Sequence, residues 1–337
     1  MKNRTYASIE QSPLQHGRYR VCRKLRLAVA LACGINGAIG AAQAYPSRPI
    51  RVIVPSQAGG GADIVARLIG QKLTEAFGQQ IVIDNRIGAV GAEIAAKAVP
   101  DGYTVMFTTS ALAVRDSLYT KLPYDTLRDF QPVTQVLSQS NVLVVHPSIA
   151  ARTVQELIAI AKAKPGQLNY GSGGNGTSNH LAGALLQLLA NIDVVHIPFK
   201  GVPAALIDTV AGRVHFTIGS PVSTLPHVKD GRLRLLAVTT PRRSASLPDV
   251  PAIAESLPGY EFTGWMGLLV PVKVSRAIVD TLHKETVRIV YLPDVKQKLQ
   301  LDAAEPIGST PEQFSSHLKA EVARWTKVVE AAGIKAE

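Results

Sequence analysis

The sequence predicts an α/β fold of two domains, each built on a mainly parallel sheet. Three observations indicate this class. Strand-like and helix-like segments alternate along most of the chain, which is the pattern of parallel strands covered by helices. The chain has 337 residues, too many for one small domain. Two separate glycine-rich stretches each stand between a strand and a helix, one in either half of the chain.

Residues 1–44 are predicted to be a signal peptide that is removed from the mature chain. Before Leu27 the chain carries seven basic residues against the single acid Glu10. An apolar stretch of 14 residues follows and leads to Ala42-Gln43-Ala44, the small-residue pattern of a cleavage site. The stretch is shorter than the ~20 residues of a membrane-spanning helix. We therefore expect cleavage after Ala44 and a soluble protein exported to the periplasm.

About half of the positive charge belongs to this leader. The sequence has 36 Lys and Arg against 25 Asp and Glu, a formal net charge of +11. Residues 45–337 retain 29 basic and 24 acidic residues, a net charge of +5, which weakens the case for a nucleic-acid-binding protein. Both cysteines, Cys22 and Cys33, lie in the leader. A lipoprotein modified at Cys33 is an alternative, although Ala30-Leu31-Ala32 is a poor match to the residues that precede a lipidated cysteine.

The first part of the mature chain alternates short apolar strands with helices. Apolar residues follow Asp63 at i, i+3 and i+4 spacing and Gly78 ends the pattern, as expected for an amphipathic helix with Asp63 as its N-cap. The predicted elements are strand 49–55, helix 63–77, strand 81–84, helix 92–99 and strand 103–108.

The same alternation continues to the end of the chain. Pro165-Gly166 marks the end of one helix, and a strand of about three residues precedes Gly171. The predicted strands are 142–146, 194–198, 214–218, 233–239 and 265–270, and the predicted helices are 154–164, 179–189, 203–211, 275–291, 293–301 and 311–332.

The mature chain is predicted to divide into two domains at two crossings. The first crossing falls near the strand 142–146 and the second near the strand 265–270. Domain 1 then consists of residues 45–144 and 265–337, and domain 2 of residues 145–264. The helices at the C-terminus are expected to rejoin domain 1.

Two glycine-rich loops are candidates for binding an anion. They are Ser56-Gln57-Ala58-Gly59-Gly60-Gly61-Ala62-Asp63 and Gly171-Ser172-Gly173-Gly174-Asn175-Gly176-Thr177-Ser178. Glycine lets backbone N–H groups approach a ligand, and the positive end of the following helix attracts negative charge. A tight turn that needs glycine is the simpler interpretation of each loop alone. Two such loops in separate halves favour a ligand between two domains.

The second loop also approaches two phosphate-binding motifs. Gly171-x-Gly173-x-x-Gly176 has the glycine spacing of a dinucleotide site, with Asp193 further on, but the preceding strand is short. The P-loop pattern fails because Thr177 stands where the phosphate-binding lysine belongs. We expect no cofactor.

Motifs for catalysis and metal binding are sparse. The chain contains no G-x-S-x-G sequence, and Ser178 and His180 are two positions apart, so they point to different sides of a helix. The seven histidines of residues 45–337 lack the spacing of metal ligands. We therefore expect that the protein is not an enzyme and that it has no catalytic residue and no metal site. The alternative is a secreted serine hydrolase that uses Ser178 or Ser172.

A series of motifs resembles one family over essentially all of residues 46–337. This is the Bug-type periplasmic substrate-binding proteins, the receptors of tripartite tricarboxylate transporters. The motifs, in order, are Gly59-Gly60-x-x-Asp63 with Ala66-Arg67, Ser117-Leu118-Tyr119 through Lys121-Leu122-Pro123-Tyr124-Asp125, Asn169-Tyr170-Gly171-Ser172 to His180-Leu181-Ala182-Gly183, His196-Ile197-Pro198-Phe199-Lys200-Gly201, Leu236-Ala237-Val238-Thr239, Pro248-Asp249-Val250-Pro251 and Gly264-Trp265.

The resemblance implies a type II periplasmic-binding-protein fold whose two domains close around a central cleft. It further implies a small organic carboxylate as ligand and membrane transporter subunits as partners. We expect a monomer that binds a di-, tri- or aromatic carboxylate and, given the modest net charge of residues 45–337, no nucleic acid. The alternative is a receptor that passes a signal to a partner when it binds its ligand and has no role in transport. By position, the ligand-binding residues implied are Ser56, Gln57, Ala58, Gly59, Asp63, Ser110, Ala111, Ser172, Gly173, Thr177, Ser178 and Phe199.

The chain departs from the family pattern at five positions that bear on the ligand. Ser56 replaces an aromatic residue and Ala58 a proline, while Leu112 stands near a usual histidine. Arg115 stands near a usual asparagine, and Gly219 replaces a common aspartate. The loss of that acid and the gain of an arginine favour di- or aromatic carboxylates over amino acids that carry an ammonium group.

Overall fold

Two β-sheets organise the computed structural model, which describes residues 45–119, 121–331 and 333. The predicted signal peptide, residues 1–44, lies outside the described residues. The strands are β1 (Ile50–Val54), β2 (Ile81–Asn85), β3 (Thr104–Thr109), β4 (Phe130–Gln139), β5 (Val142–Val145), β6 (Asn169–Ser172), β7 (Val195–Pro198), β8 (Phe216–Gly219), β9 (Arg234–Val238), β10 (Gly264–Pro271) and β11 (Ala304–Pro306).

Helices follow most of the strands and pack beside the sheets. They are α1 (Gly61–Phe77), α2 (Ala89–Ala96), α3 (Ala111–Leu118), α4 (Val154–Ala163), α5 (Ser178–Ala190), α6 (Val202–Val210), α7 (Pro221–Lys229), α8 (Ile253–Ser256), α9 (Arg276–Val290), α10 (Pro293–Gln300) and α11 (Pro311–Ala331). Within the part of the chain that the structure describes, no helix has both the length and the apolar character needed to cross a bilayer.

The first sheet has the strand order β11-β4-β10-β3-β1-β2, and the second has the order β7-β6-β8-β5-β9. Strands β1, β2 and β3 run parallel, as do β6, β7 and β8. Strand β10 runs antiparallel to both its neighbours, and β5 does the same in the second sheet. The predicted two-domain α/β class is confirmed. Each sheet is mixed, because antiparallel strands stand where the chain passes between the sheets.

The passages between the two sheets lie side by side. The chain leaves the first sheet after Gln139 and joins the second at Val142; it returns to the first sheet at Gly264, which pairs with Gln139. The Thr239 N–H also donates to the carbonyl of Asn141 at 2.9 Å, which ties the outgoing and returning segments together. We call the part built on the first sheet lobe 1 and the part built on the second sheet lobe 2. The predicted domain bounds, 45–144 with 265–337 and 145–264, stay a prediction.

The last helix returns to lobe 1 and is fixed there by a buried carboxylate. Glu321 on α11 accepts hydrogen bonds from two indole N–H groups, that of Trp265 at 3.2 Å and that of Trp325 at 3.0 Å. Phe314 of α11 lies against Gly267 of β10, where an added Cβ would come within 2.2 Å of the ring. These contacts join the last helix to β10, inside the first sheet.

Some elements differ from those predicted. The helix predicted at 92–99 is found at Ala89–Ala96. Strands β4 and β11 and helices α3, α7 and α8 were not predicted. Helix α1 contains Gly70, where an added Cβ would lie 3.2 Å from Ile81. The helix ends at Gly78, as predicted, and Gly78 has a φ of 63°, the left-handed conformation of a glycine cap.

Candidate functional site

Two helices from different sheets begin at the same place. Ser110 is the N-cap of α3, which follows β3, and Ser178 is the first residue of α5, which follows β6. Their hydroxyl oxygens lie 3.1 Å apart. Unpaired N–H groups and the helix dipole give each helix start a partial positive charge. The junction of the lobes therefore attracts negative charge from both sides.

The first glycine-rich loop is held in shape by Asp63. The Gly59 N–H donates to Asp63 Oδ2 at 2.8 Å, and Arg67 Nε donates to the same oxygen at 3.0 Å. Burial acts to raise the pKa of Asp63, but these hydrogen bonds outweigh it and hold the pKa below its usual value. The prediction that Asp63 is the N-cap is wrong. Gly60 takes that position, and the helix begins at Gly61. The Asp63 carboxylate lies in the first turn and accepts from the Gly59 N–H, one residue before the cap.

Two backbone donors at the tip of this loop have no described acceptor. Gly60 N–H is engaged with the Gln57 carbonyl at 3.2 Å, and Gly59 N–H with Asp63. Among the described residues no acceptor is found for the N–H groups of Gln57 and Ala58. The Ser56 hydroxyl is also buried without a described hydrogen-bond partner. The loop thus uses Gly59 and Asp63 for its own support and leaves the N–H groups of Gln57 and Ala58 unengaged.

The second glycine-rich loop is built around Ser172 and Thr177. Ser172 Oγ accepts from the Gly174 N–H at 3.1 Å, and the Thr177 hydroxyl donates to the Gly174 carbonyl at 2.7 Å. The Phe199 N–H donates to the Ser172 carbonyl at 3.0 Å. Ser172 is fully buried, so its side chain supports the loop. The loop backbone at Gly173, by contrast, is free of described acceptors for its N–H.

Two stacked histidines lie beneath this loop. The rings of His180 and His196 are 3.9 Å apart between centroids and 2° from parallel. The Gly176 N–H donates to His180 Nδ1 at 3.1 Å, and His196 Nε2 lies 2.6 Å from Ser172 Oγ. Burial lowers the pKa of each ring to about 4, so both rings are neutral at physiological pH.

The Ser172–His196 pair bears on the alternative of a hydrolase. A serine nucleophile needs an accessible hydroxyl and a base oriented by a third group. Ser172 has no exposed surface, and among the described residues no carboxylate contacts His196. Ser178 bonds Ser110, while His180 holds the Gly176 N–H. The geometry of these four side chains is that of a supported loop.

Three further contacts join the lobes around the site. An added Cβ at Gly176 would lie 2.4 Å from Leu118 Cδ1, so α3 touches the second loop directly. An added Cβ at Gly201 would lie 2.8 Å from the side-chain oxygen of Gln57, so the first loop reaches lobe 2. The third contact involves a residue that sequence analysis missed, Asp302.

Asp302 lies beside the passage between the sheets and caps a helix of lobe 2. Its carboxylate accepts from the hydroxyl of Ser220, the N-cap of α7, and from the Val222 N–H at 3.0 Å. Gln139 of β4 donates to it from lobe 1. Burial raises the pKa of Asp302 despite these donors. No local motif marks this aspartate, because its partners lie about 80 and 163 positions away.

The structure brings together most of the predicted site residues. Ser110, Ala111, Thr177 and Ser178 stand at the two facing helix starts, and Gln57 approaches Gly201. Phe199 lies against the second loop, since a Cβ added at Gly174 would be 3.2 Å from the Phe199 carbonyl oxygen. That these residues contact a ligand stays a prediction.

Two α/β lobes that meet at opposed helix N-termini, with two adjacent passages between them, define the class of periplasmic solute-binding proteins. Residues 65–334 match the TctC family model, described as the tripartite tricarboxylate transporter family receptor. The chain belongs to this family, which is a family of receptors. The predicted resemblance to Bug-type proteins is thereby confirmed.

Curated relatives agree over most of the chain. The chain is 39% identical over 291 residues to the UPF0065 protein in the tcbD-tcbE intergenic region of Pseudomonas sp. (strain P51), covering 85% of this chain and 87% of that protein. It is 33% identical over 300 residues to the protein BugT of Bordetella pertussis, covering 87% and 92%.

Two solved structures share the fold and were determined with carboxylates. Rpa4515 of R. palustris with adipate has a TM-score of 0.80 and 36% sequence identity, covering 86% of this chain and 99% of that one. MatC from Rhodopseudomonas palustris with bound malate has a TM-score of 0.75 and 29% identity, covering 85% and 100%.

Proposed function

We propose that this protein is a periplasmic receptor that binds a small di-, tri- or aromatic carboxylate between its lobes and delivers it to a membrane transporter. The observation that carries the proposal is the 3.1 Å approach of Ser110 Oγ to Ser178 Oγ, which sets two helix N-termini against each other. A carboxylate at this junction accepts hydrogen bonds from donors of both lobes.

The physical basis of carboxylate binding is the positive potential at the N-terminal ends of α3 and α5. Each helix N-terminus favours an anion by about 0.3–1 kcal/mol at an exposed site and more where water is excluded. The tip of the first loop adds the N–H groups of Gln57 and Ala58 and the Ser56 hydroxyl. A ligand held by both lobes stabilises the closed arrangement relative to an open one.

Relatives support the chemical class of the ligand. The structures of Rpa4515 with adipate and of MatC with bound malate both contain dicarboxylates. The family description names a tricarboxylate transporter as the partner of such receptors. Delivery to a transporter is the output we propose for this chain.

Location follows from the sequence of the N-terminus. Residues 1–44 have the basic, apolar and Ala-x-Ala segments of a signal peptide. We propose cleavage after Ala44 and function in the periplasm as a monomer. N-terminal sequencing of protein purified from the periplasm tests this step, with Tyr45 as the expected first residue.

A thermal-shift screen with carboxylates tests ligand binding. The panel holds citrate, succinate, adipate, phthalate, benzoate, aspartate and glutamate, with NAD as the competing hypothesis. A ligand at 100 times its Kd stabilises the folded protein by ~2.7 kcal/mol, which raises Tm by several degrees for a protein of this size. Stabilisation by one class of carboxylate is expected; stabilisation by NAD alone contradicts the proposal.

Two variants that each add one negative charge test where the carboxylate binds. Ser178→Asp puts a carboxylate where the ligand is proposed to bind and is expected to abolish the carboxylate shift. Ser316→Asp adds the same charge on the exposed part of α11 and should leave the shift unchanged. If the ligand raises the Tm of both variants equally, the ligand binds somewhere other than the junction of α3 and α5.

A further inference from the structure

Asn175 and Gly176 form the single Asn-Gly pair of residues 45–337. They lie in the second glycine-rich loop, where Asn175 is partly exposed. None of the hydrogen bonds that the structure describes in this loop uses the Asn175 carboxamide. The other asparagines of residues 45–337 each precede a residue with a side chain; they are Asn85, Asn141, Asn169, Asn179 and Asn191. Asn175 is therefore the asparagine whose following backbone nitrogen is least hindered.

An Asn-Gly pair loses ammonia without the help of an enzyme. The glycine nitrogen gives up its proton and attacks Cγ of the asparagine, the C–N bond of the carboxamide breaks, and ammonia leaves with the proton. Water then opens the succinimide ring at either of its two carbonyl groups. One product is aspartate. The other is isoaspartate, whose backbone passes through the former side chain and is longer by one carbon atom. Water is the only co-reactant, and nothing is oxidised or reduced.

The structure holds the attacking nitrogen away from this carboxamide. The Gly176 N–H donates to His180 Nδ1 at 3.1 Å. The Thr177 N–H donates to the Gly174 carbonyl at 3.2 Å, and Gly176 has a φ of 72°. This is the pattern of a type II turn, in which ψ of the first central residue, here Asn175, is about +120°. That angle turns the next nitrogen away from the asparagine side chain, so ring closure requires an open loop in which Gly176 has left His180.

The hydrogen bond to His180 opposes this opening. His180 is buried and its ring is stacked on His196, so the acceptor is fixed in place. One neutral hydrogen bond changes an opening equilibrium by about 2- to 10-fold. Loops open locally at a free energy below that of global unfolding. The population of the open loop therefore depends on His180.

We infer that Asn175 is a site of spontaneous deamidation, and that the hydrogen bond from Gly176 to His180 controls its rate. Ring closure takes place in the open loop and is blocked while Gly176 is bonded to His180.

Deamidation changes both the charge and the length of the second loop. It places a carboxylate three residues before Ser178, the first residue of α5, where it competes with an external anion for the positive end of the helix. Isoaspartate also lengthens the backbone next to Gly176, whose would-be Cβ is 2.4 Å from Leu118. Deamidation should therefore weaken carboxylate binding. This consequence rests on the proposed function, whereas the deamidation itself does not.

Peptide mapping by mass spectrometry tests the inference on the purified protein, incubated folded and in urea. Asn175 should be the first of the six asparagines of residues 45–337 to convert in the folded protein. Its rate should be about 5- to 50-fold lower than in urea, because opening the turn breaks two hydrogen bonds. Earlier conversion of another asparagine overturns the inference, as does protection of Asn175 by more than about a thousandfold, which would require global unfolding.

Hydrogen exchange at Gly176 provides a second measurement. Exchange of this N–H requires the same opening, since the N–H is bonded to His180. Its protection relative to the unfolded chain should match the protection of Asn175 against deamidation to within about threefold. A Gly176 N–H that exchanges freely while Asn175 keeps its amide contradicts the inference.

His180→Ala and His215→Ala are a matched pair of variants. His215 Nδ1 also accepts a backbone N–H, that of Asn169, at 3.0 Å. The rate at Asn175 should rise by about 2- to 10-fold in His180→Ala and stay unchanged in His215→Ala. Equal rates in folded His180→Ala and the wild type overturn the role of His180. The wild-type rates and hydrogen exchange decide the question if His180→Ala does not fold.

Ion exchange separates the deamidated protein for a binding measurement. Adipate, succinate and phthalate are compared by thermal shift on the deamidated and the unmodified protein. The deamidated form should lose most of the shift that the unmodified form shows. Equal shifts in the two forms overturn the predicted effect on binding. An unmodified protein that none of the three stabilises speaks against the proposed function, and peptide mapping then still decides whether Asn175 deamidates.

Discussion

Leu118 of α3 lies directly against Gly176 of the second loop, where an added Cβ would come within 2.4 Å of Leu118 Cδ1. The two residues belong to different lobes, so this contact exists only while the lobes are together. Gly176 also has a φ of 72°, the left-handed conformation that favours glycine. The loop can approach α3 because no side chain stands between them.

Gly176→Ala is therefore expected to oppose closure. The new methyl group meets Leu118, and the affinity for the carboxylate ligand should fall by about tenfold or more, since the closed arrangement binds it. Titration calorimetry measures the affinity, and small-angle scattering measures the fraction of closed protein. The double variant Gly176→Ala with Leu118→Ala should recover part of the affinity.

Gly231→Ala is the control for backbone strain. Gly231 has a φ of 71° and open space around its would-be Cβ, so the substitution adds strain without a clash. It should lower stability by about 1 kcal/mol and leave affinity unchanged. Equal loss of affinity in the two variants would show that strain, not the contact with Leu118, is responsible.

Asp302→Ala is expected to weaken the junction between the lobes. The substitution leaves the Ser220 hydroxyl and the Val222 N–H at the start of α7 without their acceptor. Loss of such a helix cap costs about 0.5–2 kcal/mol, and the open population should increase. Urea unfolding and small-angle scattering measure the two effects. Asp249→Ala, on an exposed loop of lobe 2, should change neither; a silent Asp302→Ala would argue against the cap.

The stability of the protein should fall with acid between pH 6.5 and pH 4 because of His180. Burial lowers the pKa of this ring to about 4 from its ordinary value of 6.5. In this window the unfolded chain takes up a proton that the folded chain does not, so unfolding becomes more favourable as the pH decreases. The difference between the two pKa values corresponds to about 3 kcal/mol.

The variant His180→Asn tests this dependence. Asparagine can accept from the Gly176 N–H in place of Nδ1 but does not titrate. The free energy of unfolding in urea, measured at pH 7.5 and pH 4, should decrease less in the variant than in the wild type. Identical decreases would mean that other groups set the acid sensitivity.

Asp63→Ala should loosen the first loop. Asp63 is 3% exposed and holds the Gly59 N–H, and a hydrogen bond to a charged group contributes about 1.5–3 kcal/mol. We expect a loss of stability of about 2 kcal/mol together with weaker carboxylate binding. Asp208→Ala removes a surface carboxylate paired with Arg213 and is the control. Chemical denaturation and titration calorimetry measure the two quantities.

Sequence patterns predicted all five strands of the second sheet and β1, β2, β3 and β10 of the first, and missed β4 and β11. The helix of α1 and its end at Gly78 followed from apolar spacing and one glycine. Strand β4 was missed although it has ten residues, because Pro132 interrupts it and its buried residues do not alternate. Its two partners, β10 and β11, are more than a hundred positions away, and no local pattern encodes such pairing.

The parts of the candidate site in which a glycine-rich loop leads directly into a helix could be predicted from the sequence. Glycine spacing and strand position located the two loops and the helix that follows each of them. The site residues within the loops, such as Ser56 and Gln57, were implied by the family resemblance. The contact between Ser110 and Ser178 was not predictable, since it joins residues 68 positions apart. The role of Asp63 as a support and the cap made by Asp302 depend on tertiary neighbours in the same way.

The pairing of Gln139 with Gly264 has a consequence for how such a protein can be recombined. The chain leaves the first sheet after Gln139 and re-enters it at Gly264, and these two residues are paired. The Cα atoms of a residue pair in antiparallel strands are about 5 Å apart. The intervening segment is therefore a cassette with neighbouring ends, carrying its own sheet. Exchanging this segment between two relatives requires only two adjacent junctions. Each chimera would combine the second loop and α5 of one parent with the first loop and α3 of the other.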